Sequence, residues 1–157
     1  MKKQANQKNR PTKQEGYTWG TPCIVVDDAE QAIETYTKVF GFKVDNAMKD
    51  KTGATNWAKL SYKDFGLHIS NGMCGTGDCE KFKSPKALGV TSSVSLYLYN
   101  DDVEAVVEKA KAHGLKIVQE PEVMFWGDKM CIIVDESGYI WNIARNVADF
   151  DASKMPS

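Results

Sequence analysis

Apolar and polar positions follow the same order twice along the chain. In each copy a β-rich run precedes an aspartate, a helical pattern and a glycine, after which apolar and polar residues alternate. Aligning Gly41 with Gly114 places Asp28 on Asp101, thirteen residues before the glycine in both copies. Apolar spacing of i, i+3, i+4 and i+7 predicts an amphipathic helix, and period-two alternation predicts strands. The two predicted βαβββ units are residues 21–71 and 92–145.

Each predicted helix has a signal at both ends. Asp28 and Asp101 can cap free N–H groups at the start, and Gly41 and Gly114 can adopt the left-handed conformation that ends a helix. Residues 72–91 are rich in Gly and Lys and are predicted to be a loop-like connector. A single unit would leave one sheet face uncovered, so two units must share a core. The pattern leaves open whether they pair within one chain or are swapped between chains.

The composition places the chain among globular proteins of one domain. It has 157 residues, 42% apolar and 26% charged, which is ordinary for a soluble domain. The net charge of −1 gives no electrostatic reason to expect a nucleic acid or membrane partner, and no stretch could span a bilayer. We predict a disordered basic arm, one domain and a short tail, at residues 1–19, 20–147 and 148–157.

The four cysteines are expected to be reduced thiols in a cytoplasmic protein. Cys23 and Cys131 lie in apolar runs, where a thiol usually serves as a small core residue. Cys74 and Cys79 lie in a Gly-rich loop. Because no second pair stands at zinc-site spacing and no CxxC occurs, structural or incidental thiols are favoured over a metal or redox pair.

One side of several predicted strands is polar. In SSVSLYLY the serines and tyrosines share a side, in GLHIS His68 lies opposite two apolar residues, and in YIWNIA Asn142 does the same. Successive strand residues point to opposite faces of a sheet. The apolar sides therefore suit packing under the helices, and the polar sides remain open.

The helix patterns D-x3-A-I-x2-Y-x4-G-F and D-x3-A-V, and the ending FWGDKMCIIVDESGYIWNIAR, resemble the vicinal oxygen chelate superfamily. This group includes glyoxalase I, bleomycin- and fosfomycin-resistance proteins and extradiol dioxygenases, and the similarity points to the bleomycin-resistance-like branch. The resemblance covers about residues 20–147. It implies an α+β fold in which tandem βαβββ units form a cup-shaped, partly open mixed sheet.

In the enzymes of this superfamily, four strand positions ring a divalent metal in the cup. The resemblance places these positions at Thr21, His68, Ser95 (Ser93 if the alignment slips by two) and Asn142. Only His68 is a good ligand, because hydroxyls are not ionised at neutral pH. We therefore expect no metal and no cofactor. A metal held by Cys23, His68 and Asn142 is the disfavoured alternative.

An aromatic cup with polar anchors suits a small, planar or amphipathic organic ligand. We expect a homodimer that binds such a ligand, with a resistance-type sequestering protein as one interpretation, and assign no catalytic residue. The candidate binding residues are Thr21, Cys23, Trp57, His68, Ser95, Tyr97, Trp126 and Asn142. Trp141 is expected in the core, and Asp128 and Lys129 are interpreted as structural residues of a turn.

Two other functions remain open. One is a metal-dependent lyase or dioxygenase-like enzyme with a degenerate site around His68. The other is a module with a vestigial cup that serves in protein contacts.

Overall fold

The computed structural model describes residues 11–72 and 82–155, which form two successive βαβββ repeats and so confirm the predicted duplication and α+β fold. Residues Cys74 and Cys79 lie outside the described residues. The first repeat consists of β1 Cys23–Val25, α1 Ala29–Lys38, β2 Lys43–Lys49, β3 Thr55–Tyr62 and β4 Phe65–Ser70. After α2 Pro85–Leu88, the second repeat consists of β5 Ser95–Tyr99, α3 Val103–Ala112, β6 Lys116–Val123, β7 Asp128–Val134 and β8 Ile140–Asn146.

The strands form two four-stranded sheets of the same order. The first sheet is β1-β4-β3-β2 and the second is β5-β8-β7-β6. In each sheet the first pair is parallel and the other two pairs are antiparallel, so both sheets are mixed. In each unit a helix and two further strands connect the two parallel strands, because a parallel pair cannot be joined by a tight turn.

The helix ends agree with the sequence signals except at one position. Asp28 caps α1 by accepting hydrogen bonds from two backbone N–H groups, and Gly41 and Gly114 have φ of 84° and 73° after the helices. The cap of α3 is Asp102, not Asp101: the Asp102 side chain accepts from the backbone N–H of Ala105, and Asp101 forms an exposed ion pair with Lys63 of the first unit. None of the helices in residues 11–72 and 82–155 is long and apolar enough to cross a bilayer.

The expectation of a loop-like connector is wrong for residues 85–88, which form α2. Ser84 caps this helix and is buried, and its hydroxyl donates to Asp27 in the β1–α1 loop. The backbone N–H of Lys86 donates to the carbonyl of Ser137 at 3.1 Å. The described end of the connector is therefore held between the two units.

Strand β6 continues through Pro121 to Val123. A register shift between Gln119 and Glu122 accommodates the proline, which has no N–H to donate. Phe125 and Trp126 then form a turn before β7.

The core-facing sides of both sheets share one hydrophobic cluster. Trp141 of β8 is fully buried and contacts three rings of the first unit, Tyr36, Phe40 and Phe42, with ring centroids 4.7–5.9 Å away. The Tyr36 hydroxyl donates to Asp135 of the second unit at 2.7 Å. Because the two core-facing sides meet, the opposite sides of the sheets point away from the core and from each other. We call these the open sides.

Each unit also docks a turn onto the strand-to-helix junction of the other. The Tyr139 hydroxyl accepts from the N–H of Val25 at 3.2 Å and lies 3.0 Å from its carbonyl oxygen, at the free edge of β1. On the opposite end of the molecule, the side chain of Asn100 donates to the Tyr62 hydroxyl at 3.3 Å. The two contacts fix the orientation of one sheet relative to the other.

Candidate functional site

The open side of the first sheet carries a row of residues across three strands. Cys23 on β1 pairs with His68 on β4, which pairs with Lys59 on β3, so the three side chains share a face. Trp57 lies one row further along β3 on the same face. Its ring meets the His68 ring edge-on at 5.0 Å. Strand pairing thus brings together Cys23, Trp57 and His68, as the alternation predicted.

Residues of the predicted basic arm, 1–19, cover part of this open side. The ring of Tyr17 meets His68 edge-on at 5.8 Å, and the ammonium of Lys59 lies 4.0 Å from the Tyr17 ring centroid. Lys59 also donates to the carbonyl of Gly16 at 2.7 Å and pairs with Asp45 at 3.3 Å. A charge held over an aromatic face is a favourable contact.

Thr21 lies at the edge of this surface rather than beside His68. Its hydroxyl bonds that of Thr18 at 2.6 Å. It borders a groove of about 300 Å³ that Tyr17, Lys59 and Phe65 also line.

His68 has a buried nitrogen with no partner. No group of the described residues bonds its Nε2 atom. Burial, and then the charge of Lys59, lower the pKa of His68, so the ring is neutral at pH 7. A buried polar atom without a hydrogen-bond partner destabilises the folded protein. It therefore marks a position where a water molecule or a polar group of a ligand can bind.

The open side of the second sheet carries a cluster centred on Asp128, which we call the Asp128 cluster. The hydroxyls of Tyr97 and Tyr99 both donate to Asp128 Oδ2 at 2.8 Å, and Asn146 donates to Oδ1 at 3.1 Å. The indole N–H of Trp126 donates to the Tyr97 hydroxyl at 3.4 Å. The two tyrosine rings meet at 5.5 Å and 61°. Two tyrosine hydroxyls therefore bind one carboxylate oxygen, and the indole binds one of these hydroxyls.

Hydrogen bonding decides the charge of this cluster. Burial alone would raise the pKa of Asp128, but the bonds from Asn146, Tyr99 and Tyr97 outweigh it and lower the pKa. Burial first, and then Asp128, raise the pKa of Tyr97 to about 12. At neutral pH the cluster thus holds one carboxylate and neutral phenols.

The predicted site residues fall into two groups. Thr21, Cys23, Trp57 and His68 belong to the first open side. Tyr97 pairs with Asn142, and Ser95 lies two residues earlier on the same face, so these belong to the second open side with Trp126. Among the described residues, no hydrogen bond or ring contact joins the two groups.

One prediction about an individual residue is wrong. Cys23 is exposed and not a core residue, and it lies on β1, an edge strand of its sheet. Asp128 and Lys129 begin β7 rather than lying in the turn before it. The Asp128 carboxylate accepts from both tyrosines, and Lys129 pairs with Glu104. Cys131 is fully buried as predicted, and burial raises its pKa to about 11.

Sequence reasoning missed Asp128 and Tyr17 as site residues. The partners of Asp128 stand 29 and 31 residues earlier, so no local spacing indicates the contact. Tyr17 gave one weak signal, an aromatic residue at the end of a polar arm.

The four family metal positions do not fit a divalent ion in this chain. They supply two hydroxyls, one amide and one imidazole, and they divide between the two open sides. Zinc and similar ions need three or four imidazoles, carboxylates or thiolates. No cluster of three or more His, Cys, Asp or Glu suited to a metal occurs within residues 11–72 and 82–155.

The tandem sheets, the shared core and the two open sides define a glyoxalase-type protein. The sequence pattern of the Glyoxalase/Bleomycin resistance protein/Dioxygenase superfamily matches residues 19–143, and the chain belongs to this superfamily. This confirms the resemblance seen in the helix signatures and the chain's ending.

Individual relatives agree with this assignment. An uncharacterised protein of Mycobacterium tuberculosis, Rv0887c, is 28% identical over 138 residues, which are 86% of this chain and 78% of the relative. TioX from Micromonospora sp. ML1 has a TM-score of 0.61 at 19% identity, over 81% of this chain and 97% of its own. TnmS3, an antibiotic binding protein from Streptomyces sp. CB03234, has a TM-score of 0.57 at 20% identity, over 82% and 93%. The two structural likenesses show the fold.

Proposed function

We propose that this protein binds a small organic molecule in a cup built by two copies of the chain, and that it sequesters this molecule. The first open side of one subunit faces the second open side of its partner, so each homodimer has two cups. The observation that carries the proposal is the placement of the candidate residues on two open sides that point apart within one chain.

Two features of the open sides support ligand binding. His68 Nε2 is buried without a partner in the described structure, and it can accept or donate one hydrogen bond. Tyr97 and Tyr99, on the edge strand β5, are 45% and 54% exposed. Exposed aromatic surface of this kind is typical of ligand and subunit interfaces.

The comparisons support a resistance-type role. The superfamily includes bleomycin resistance proteins, and TnmS3 is an antibiotic binding protein. Such a role requires tight binding but no reaction, which agrees with the weak donor set at the metal positions. The cytoplasmic location expected from the thiols stays a prediction.

Mixing two defective variants tests the shared cup. The ligand is a compound selected from aromatic antibiotics by its effect on the melting temperature. His68→Ala damages the first open side, and Asn142→Leu damages the second. If cups form between subunits, a heterodimer of the two variants has one doubly damaged cup and one intact cup. Random reassortment after joint refolding should therefore restore about one quarter of the wild-type sites.

A matched control uses two lesions on the same open side. A mixture of His68→Ala and Trp57→Ala has no intact cup in any dimer, so it should recover no binding. Recovery in neither mixture, with dimers present by light scattering, would place both halves of the site in one chain. A protein that is monomeric at the concentrations of binding would refute the shared cup directly.

The second candidate function is a metal-dependent lyase or dioxygenase-like enzyme, which the unpartnered His68 nitrogen favours. Elemental analysis of the purified protein and melting scans with Zn²⁺, Ni²⁺, Mn²⁺ and Fe²⁺ separate this from sequestration. Stoichiometric metal that is lost in His68→Ala would favour the enzyme. A melting temperature unchanged by all four ions would favour the metal-free cup.

A further inference from the structure

Among the described residues, no cationic side chain pairs with the carboxylate of the Asp128 cluster. Asp128 is 3% exposed, and none of the salt bridges formed by the described residues includes it. Its neighbour Lys129 is paired with Glu104 on α3. Buried charges in proteins are usually paired or bound to a cation. The Asp128 carboxylate is held instead by hydrogen bonds from neutral donors, so its charge is left to attract a positively charged group at the solvent-facing surface.

The aromatic residues in front of this carboxylate are suited to supply a surface for that group. Tyr97 and Tyr99 donate their hydroxyl protons to Asp128, and Trp126 donates to Tyr97. Hydrogen bonds in such a chain polarise one another, and donation to an anion makes a phenol ring more electron-rich. Electron-rich ring faces attract cations, and tryptophan does so most strongly.

The first open side shows what a satisfied version of this arrangement looks like. There the ammonium of Lys59 lies over the Tyr17 ring and also pairs with Asp45. One ring, one cation and one carboxylate are thus all supplied by the chain. On the second open side the rings and the carboxylate are present, and Tyr97 and Tyr99 are about half exposed.

We propose that the Asp128 cluster binds the positively charged end of an organic ligand, an alkylated or quaternary ammonium group placed against Tyr97, Tyr99 and Trp126. The inference rests on the proposed binding cup and adds the chemical class of its ligand. Methylated ammonium groups fit best, because they are weakly hydrated and take contacts from ring faces without needing hydrogen-bond acceptors. Asp128 acts through the rings and through its field rather than by direct contact.

Choline and its neutral isostere 3,3-dimethylbutan-1-ol test this with the full chain. The two molecules have the same shape and differ by one charge. In two-dimensional NMR titrations, choline should shift the Trp126 indole signal and the Tyr97 and Tyr99 amide signals. Its affinity should exceed that of the neutral alcohol by about five-fold or more, the range expected for cation–aromatic contacts.

Two variants assign the effect to the carboxylate. Asp128→Asn keeps the shape of the side chain and removes its charge, and should weaken choline binding about five-fold. Asp50→Asn removes one charge from an exposed turn of the first unit and should leave the affinity unchanged. If Asp128→Asn does not fold, Tyr99→Leu removes an exposed ring and should give the same loss.

The inference is overturned if the neutral alcohol binds as tightly as choline, if choline shifts none of these signals, or if Asp128→Asn binds choline as well as wild type does. These outcomes leave the cup itself untouched when neutral compounds bind and the mixed variants recover their sites. Failure of the mixing experiment, in contrast, removes the shared cup whatever the charge of the ligand.

Discussion

The hydrogen bond from Tyr36 to Asp135 joins the two units through their shared core, and its removal tests that core. Tyr36 is fully buried, and its hydroxyl lies 2.7 Å from Asp135 Oδ2. Burial, and then the charge of Asp135, raise the pKa of Tyr36 well above its usual range, so the hydroxyl stays protonated as a donor. Tyr36→Phe removes the donor and keeps the ring.

The expected loss follows from the chemistry of the acceptor. A hydrogen bond to a charged group contributes about 1.5–3 kcal/mol to stability. The acceptor oxygen keeps a second bond, from the Trp141 indole at 2.9 Å, so it is not left unsatisfied. We therefore expect Tyr36→Phe to lower the free energy of unfolding by about 2 kcal/mol. In a chain of 157 residues this corresponds to a fall of about 4–8 °C in melting temperature.

Urea denaturation of four proteins measures the coupling. The set is wild type, Tyr36→Phe, Asp135→Asn and the double variant, and the pair should show a coupling energy of about 1–3 kcal/mol. Tyr99→Phe is the control. Its hydroxyl also donates to an aspartate, at 2.8 Å, but its ring is exposed, so we expect a loss of about 1 kcal/mol or less. Additive losses for Tyr36 and Asp135, or equal losses at Tyr36 and Tyr99, would refute the shared core.

Three further changes have expected outcomes. Gly127→Ala should destabilise the protein by about 2–4 kcal/mol, because φ is +95° and a Cβ would stand 2.1 Å from the Ala148 carbonyl oxygen. Gly53→Ala, with φ of +90° and open space around it, should lose only about 1 kcal/mol in the same urea titration. Because burial depresses the pKa of folded His68 below its ordinary value, the unfolded chain binds this proton first as the pH falls. Wild-type stability should thus fall between pH 7 and the folded pKa, and His68→Gln should fall less; identical pH slopes would contradict this. In native protein treated with iodoacetamide and mapped by mass spectrometry, Cys23 should be modified before Cys131, whose thiol is fully buried with a pKa of about 11. Equal modification would mean that β7 is not protected.

The fold was predictable because its signals are local and repeated. The glycines that end α1 and α3 stand at matching positions, and period-two alternation placed His68, Tyr97 and Asn142 on the open sides. Alternation tells which residues share a side of a strand, but it does not tell what covers that side. Cys23 was therefore interpreted both as a small core residue and as a binding candidate, and the structure shows that it is exposed.

The candidate site was less predictable because its contacts join distant parts of the chain. Asp128 meets Tyr97 and Tyr99 only after β5, β7 and β8 have assembled into one sheet. Tyr36 and Asp135 are 99 residues apart, and no pattern within either unit indicates that they meet. The cap of α3 shows a similar limit on a small scale, since the capping residue is Asp102 although the spacing to the glycine indicated Asp101.

The contact of Tyr139 with the edge of β1 has a consequence for synthesis on the ribosome. Tyr139 follows Val25 by 114 residues, so the free backbone groups of this edge lack their partner while most of the domain is made. At about 5–20 residues per second, this interval lasts about 6–23 s. An unpaired strand edge is a template for pairing with other chains. During this interval the backbone groups of Val25 must bind water or a chaperone rather than another chain. The hydrogen bonds from the β1 edge to Tyr139 form only when the turn before β8 has been synthesised.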